Sequence, residues 1–340
     1  MTINAMTRSL VIAPQWIGDA VMTEPLLRRL QARGEDLTVA AVPWVAPVYR
    51  AMPQVAQVVE FPFQHGGLQF GARRRLAREL HGRFDSAYVL PNSLKSALLP
   101  FLASIPRRVG YLGEARVGLL THRLKNPGHR PPMVAFYSAL SGDTHGLDAD
   151  QPRLHLDPGA IDAALAAQQL AAGSYHVFAP GAEFGPSKRW PERHYAALAR
   201  GLDAPVLLLG SAKDAAVCEQ IVEAGGGRCR NLAGRTSLAE AFALIAAARA
   251  MVSNDSGLMH VAAAFGIPQV ALFGSSSPLH TPPLNDHAQV VWLKADPGYQ
   301  PPLDCAPCFQ RDCPLGHHRC LEDVQPARVA ALLQAGVNSA

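Results

Sequence analysis

Short runs of β-branched and apolar residues alternate along the chain with longer stretches whose apolar positions recur at helical spacing. In the first half this pattern predicts strands at Ser9–Ala13, Leu37–Val42, Gln57–Phe61, Ser86–Leu90 and Arg107–Tyr111. Helices are predicted between them at Ala20–Arg33, Phe70–Leu80 and Ser93–Ala103. The second half repeats the alternation, with strands at Tyr175–Ala179, Val206–Leu209, Arg228–Leu232, Met251–Asn254 and Gln269–Phe273. Its helices are predicted at Glu192–Leu202, Ala215–Ala224, Leu238–Ala248 and Gly257–Phe265, and a last one at Pro326–Leu333 is free to pack on either half. Strand–helix alternation of this kind argues for an α/β protein with parallel sheets covered on both faces. A stretch rich in Asp, Pro and Gly, followed by an Ala-rich helix (Ala160–Ala171), sets a boundary near residues 148–173. The expectation is two Rossmann-like domains, 1–160 and 161–340. Ligands of open α/β sheets sit at the carboxyl ends of the strands, so sheets facing a central cleft would hold the site there.

Composition narrows the class. With 340 residues the chain can bury a core in each half, and 49% hydrophobic against 17% charged residues excludes a disordered chain. The longest apolar runs are broken by Pro or Gly and fall short of the roughly 20 residues that span a bilayer. Leu10–Ala13 is too short for the apolar region of a signal peptide, so a cytoplasmic protein is expected. Charge is uneven. Residues 1–170 carry 18 Lys and Arg against 13 Asp and Glu, and residues 171–340 carry 13 against 14. A basic first half points to an anionic partner there. Its arginines are concentrated, at Arg73, Arg74, Arg75, Arg78 and Arg83, then Arg107, Arg108, Arg116, Arg123 and Arg130. Guanidinium forks suit phosphate and carboxylate, although several must simply be solvated.

The chemistry-bearing residues cluster just after predicted strands. After the first comes Ala13-Pro14-Gln15-Trp16-Ile17-Gly18-Asp19-Ala20, where Gly18 permits a tight turn. Asp19 reads either as a carboxylate general base or as a helix N-cap. After the fourth lies Pro91-Asn92-Ser93-Leu94-Lys95. In the second half a Gly-bearing loop, from Gly181 to Gly185, leads through Ser187 to Lys188 and Arg189. Such a loop can aim backbone N–H groups and a cation at a diphosphate. Gly210-Ser211, Thr236 and the run Asp255-Ser256-Gly257 follow further strands and can converge on one nucleotide. His260 shares a helix face with Ser256 and reads as a ligand contact or a packed core histidine. The glycines of a dinucleotide fingerprint, a P-loop and a hydrolase elbow are absent. Cys305, Cys308, Cys313 and Cys320, with His317 and His318 among them, read either as zinc ligands or as free thiols that could pair reversibly.

The segments LVIAPQWIGDAVMTEPLLRRL, YVLPNSLKSALLPF, PGAEFGPSKRWP, LLGSAKD and VSNDSGLMHVAAA, taken in this order, resemble glycosyltransferase family 9, the lipopolysaccharide heptosyltransferases. The resemblance spans nearly the whole chain. It implies a GT-B fold, with the acceptor on the first domain and the nucleotide sugar on the second. It implies inverting transfer of L-glycero-D-manno-heptose from ADP-heptose to the anionic heptosyl-Kdo-lipid A inner core, at the inner face of the cytoplasmic membrane. By motif match, Asp19 becomes the base and Lys188 the group that holds the diphosphate. Gly181, Ser187, Gly210, Ser211, Thr236, Asp255, Ser256, Gly257 and His260 become donor contacts, and Gly18, Asn92, Ser93 and Lys95 acceptor contacts. An inverting transfer is a single displacement, so one base suffices. No cofactor, catalytic metal or nucleic-acid partner is expected, whereas contact with a membrane surface is. Other core heptosyltransferases, a nucleotide-sugar epimerase and a non-catalytic nucleotide-sugar-binding module are the competing readings.

Overall fold

The computed structural model describes residues 6–61, 63, 67–143, 145–147 and 150–339; Asp148, at the start of the expected boundary, lies outside them. The chain divides into two compact units, Met1–His155 and Leu156–Ala340. The division falls ahead of residue 160 because helix Pro158–Gln168 packs on helix Leu238–Ala246 of the second unit. Asp157 starts that helix, its carboxylate accepting the Gly159 N–H at 2.7 Å, with Pro158 where no N–H is needed.

In the first unit β1 (Thr7–Ile12), β2 (Glu35–Ala41), β3 (Val55–Glu60), β4 (Ser86–Val89), β5 (Arg107–Tyr111) and β6 (His122–Leu124) form one sheet, ordered β3-β2-β1-β4-β5-β6. In the second, β7 (His176–Ala179), β8 (Val206–Leu208), β9 (Cys229–Asn231), β10 (Ala250–Asn254), β11 (Gln269–Phe273) and β12 (Ala288–Trp292) are ordered β12-β11-β10-β7-β8-β9. Every strand pair in both sheets is parallel. Chain order therefore reverses between β1 and β4, and again between β7 and β10. Those switch points are where the crossover helices diverge and leave a crevice.

The central strands are largely buried, with Leu10 and Val11 of β1 and Val252 of β10 wholly so. Pattern reading missed β6 and β12. Both are edge strands, and burial along them is only partial, which weakens the apolar signal. The helix expected at Ala20–Arg33 is two helices, Ile17–Met22 and Glu24–Ala32. Pro25 has no N–H to return to Val21, and the Thr23 hydroxyl donates to the Ala20 carbonyl at 2.6 Å. Helix Met133–Ser138 was not anticipated. The last helix extends to Ser339 and packs on β10, β11 and β12 of the second unit. Among the described residues no helix is long and apolar enough to cross a membrane.

Candidate functional site

In the first unit the candidates lie at the carboxyl ends of β1 and β4, flanking one switch point. Trp16, not Asp19, is the N-cap residue of helix Ile17–Met22, and its backbone is extended. Asp19 sits within the first turn, so the capping reading fails. Gly18 is a buried helical residue rather than a turn glycine. Asp19 is partly exposed, and its Oδ1 accepts a hydrogen bond from the Tyr137 hydroxyl at 3.0 Å. Tyr137 comes from the unanticipated helix and is buried. Burial, and next the charge of Asp19, hold its phenol well above the usual tyrosine range, so it remains a donor. Tyr49 is fully buried too, with its hydroxyl 3.2 Å from Thr23 Oγ1.

The neighbouring loop is more structural than expected. Asn92 Oδ1 accepts from Arg116 Nη2 at 3.1 Å, and Arg116 also donates to the carbonyls of Pro91, Gly113 and Tyr111. Arg116 is wholly buried on these uncharged acceptors, so it cannot serve as an anion contact. Arg73 and Arg108 also donate to backbone carbonyls, that of Leu68 and those of Leu119 and Ile105. The N-terminus of helix Leu94–Leu102 is capped by Glu114, which accepts the Leu94 N–H at 2.8 Å, and not by the Ser93 hydroxyl. Lys95 stands in the first turn of that helix, partly exposed.

In the second unit the candidates gather at the switch point between β7 and β10. Lys188, at the end of a short 3-10 turn after β7, pairs with Asp255 after β10, Nζ to Oδ2 2.5 Å. Both side chains are largely buried, at 19% and 7% exposure, and Lys188 Nζ lies 5.2 Å from the centre of the Phe184 ring. Asp255, expected as a donor contact, therefore meets a cation of its own unit. His260 is buried behind this pair. Desolvation first, and then the charge of Lys188, push it down to about 4, so it is a neutral imidazole at neutral pH. Ser256 holds the N-cap position of helix Gly257–Ala264, yet its buried hydroxyl makes no hydrogen bond among the described residues.

Asn254 was missed by the sequence reading. Its amide donates to the carbonyls of Pro180 (2.7 Å) and Gly181 (3.4 Å). Its Oδ1 accepts from the Trp190 N–H (3.0 Å) and the Tyr195 hydroxyl (3.1 Å). This one residue bolts the loop after β7 to the end of β10, on either side of Lys188. Glycines bring the next turns close. A Cβ on Gly181 would stand 2.4 Å from the Asp214 carboxylate, and one on Gly210 2.9 Å from Asp214 Cβ. Gly234 has φ +71, and a Cβ there would lie 2.7 Å from the backbone of Ala212. Two expected donor contacts are already committed. The Ser211 hydroxyl binds Asp214 at 2.8 Å within a capping box. The Ser187 hydroxyl lies 2.9 Å from Ser275 Oγ and donates to the Gln310 carbonyl at 2.5 Å. Thr236 is partly buried in the turn after β9.

The model of Glycosyltransferase family 9 (heptosyltransferase) matches residues 73–318. The chain is 43% identical over 348 residues to lipopolysaccharide heptosyltransferase 2 of Escherichia coli (strain K12), covering 96% of this chain and 97% of that protein. It is 43% identical over 344 residues to the enzyme of the same name from Salmonella typhimurium, covering 94% and 95%. The solved structure of Escherichia coli ADP-heptose LPS heptosyltransferase II superposes with a TM-score of 0.83 at 40% identity, covering 98% of this chain and 99% of that one. Two switch-point sheets of this kind are the GT-B architecture. The chain, a transferase, therefore belongs to glycosyltransferase family 9, the heptosyltransferases.

Proposed function

We propose that the protein transfers heptose from ADP-heptose to the heptosyl-Kdo-lipid A inner core of lipopolysaccharide, with inversion, at the inner face of the cytoplasmic membrane. The observation that carries the chemistry is the largely buried Lys188–Asp255 pair, backed by a neutral His260, at the end of β7 and β10. A cation with little access to water stabilises developing negative charge far better than an exposed one. In this reading the donor diphosphate takes up Lys188, and Asp255 holds the ammonium in position before the donor arrives. The Ser256 hydroxyl, without a hydrogen-bond partner among the described residues, and the first amides of helix Gly257–Ala264 supply further donors to a phosphate oxygen.

Asp19 receives the proton of the acceptor hydroxyl while that oxygen attacks the anomeric carbon. The bond from that carbon to the diphosphate breaks, and ADP leaves with the electron pair. The basic first unit suits an anionic acceptor, with Lys95 the cationic candidate in the first turn of the helix after β4. Transfer is tested by ADP release from ADP-heptose with and without heptosyl-Kdo-lipid A. Acceptor-dependent release is expected. Asp19→Asn should lower it at least about a hundredfold while ADP affinity stays within about twofold. A parallel loss of ADP affinity would remove Asp19 from the role of base, and release only with an acceptor lacking the first heptose would move the protein to the preceding transfer.

A further inference from the structure

The transferase chemistry leaves one cluster unused. Cys305, Cys308, Cys313 and Cys320, with His317 and His318, line a single small cavity whose far wall is Ser187 and Ser275. Its volume is about 20 Å³, which admits one ion or one water and no larger ligand. All four sulfurs belong to free cysteines that are partly shielded from solvent. The tautomer of His317 follows from its contacts. Its Nδ1 accepts the Arg319 N–H at 3.0 Å, so in the neutral ring Nε2 carries the proton, and that nitrogen faces Cys305 Sγ at 4.0 Å. His317 is thereby a donor toward a thiolate rather than a fifth ligand.

We propose that Cys305, Cys308, Cys313 and Cys320 bind one metal ion of the kind that prefers four thiolates, zinc or iron, and that the ion supports the donor loop. Four soft sulfur donors with no carboxylate among them select this class. Among the described residues no three histidine, cysteine or acidic side chains already converge on one point at metal-holding geometry. The ring is open as it stands, and closing it on an ion, with loss of the thiol protons, is the step that binding would couple to local folding. The consequence reaches Lys188 through short links. The Ser187 N–H donates to the Arg311 carbonyl at 3.2 Å and its hydroxyl to that of Gln310, both in the segment between Cys308 and Cys313. Gly185 lies so close that a Cβ there would stand 2.6 Å from the Arg311 carbonyl oxygen. A metal knot would hold this segment, and with it the turn that carries Lys188.

The test uses the full chain, purified under reducing conditions without chelator or metal-affinity resin. Elemental analysis should find about one zinc or iron per chain, and the identity of the element separates those two sources. Cys308→Ser and Cys313→Ser should each lower occupancy below about a tenth. Because either variant could misfold, cobalt(II) is also titrated into the stripped wild-type protein. Thiolate-to-cobalt charge-transfer bands with tetrahedral d–d intensity, saturating at one equivalent, are expected, together with protection of four thiols from alkylation. ADP should bind about tenfold more weakly to the stripped protein than to the reloaded one. Absence of bound metal combined with a featureless cobalt titration overturns the proposal, as does finding Cys305–Cys308 or Cys313–Cys320 disulfides in protein kept reduced. The metal readouts do not depend on the transferase reading.

Discussion

Acidification should destabilise the second unit through two buried histidines, and the size of the effect follows from their surroundings. His260 and His176 are 5% and 3% exposed, and desolvation pushes each from 6.5 down to about 4. For His176 the charge of Arg249 acts in the same direction, and its Nδ1 finds no hydrogen-bond partner among the described residues. In the unfolded chain each ring takes up a proton below about pH 6.5, whereas the folded protein refuses it until about pH 4. The stabilisation is therefore complete above the unfolded value and is lost as the pH falls toward the folded one. At about pH 5 each histidine has lost about 2 kcal/mol, and at about pH 4 about 3 kcal/mol. The assay is urea unfolding between about pH 7.5 and about pH 5, followed through the fluorescence of Trp190, which is buried in the second unit. His260→Gln should flatten the pH dependence by about 2 kcal/mol over that range, and adding His176→Gln should roughly double the flattening. Comparing slopes removes each variant's own fixed cost. Parallel curves for wild type and the His260 variant would refute the assignment of a buried neutral ring.

Two further outcomes follow from single contacts. Tyr137→Phe deletes the donor to Asp19, a hydrogen bond to a charged group that is worth about 1.5 kcal/mol at the low end suited to a partly exposed carboxylate. That bond favours the ionised base, so without it the acid limb of kcat/KM moves to higher pH, and activity below the limb falls about tenfold; a loss uniform across pH would make Tyr137 a packing residue only. Asn254→Ala strands two carbonyls, one backbone N–H and the Tyr195 hydroxyl, so the second unit should lose about 3 kcal/mol in the same urea assay, and a change below about 1 kcal/mol would show that water replaces the amide.

These contacts connect the fold to the chemistry. In each unit the group proposed to act follows the first strand and its support arrives from elsewhere: Tyr137 for Asp19, Asp255 for Lys188. Parallel sheets with a central order reversal make that arrangement available twice, because each switch point leaves neighbouring strand ends uncovered by helices. The glycines at 181, 210 and 234 let the turns beside Lys188 approach more closely than any side chain would permit.

The local alternation of apolar runs was enough to set the α/β class, most strands and the loops at their carboxyl ends, because strand and helix periodicity are properties of a few consecutive residues. It also put Asp19, Lys188 and Asp255 directly after strands, where Gly and Pro punctuate the chain. It could not tell which strands become neighbours. Tyr137 reaches Asp19 across 118 residues because helix Met133–Ser138 packs on helices Ile17–Met22 and Glu24–Ala32, and Asp255 reaches Lys188 across 67 because β7 pairs with β10. The same limit explains the corrections. Ser187, Ser211 and Asn92 display donors and acceptors suited to a substrate, but a sequence shows a polar group without its partner. Packing supplied Gln310 to Ser187 and Arg116 to Asn92, whereas the exposed Ser211 takes Asp214 from its own turn; a buried polar group takes the partner that folding brings to it because leaving it unpaired costs more than the bond itself contributes.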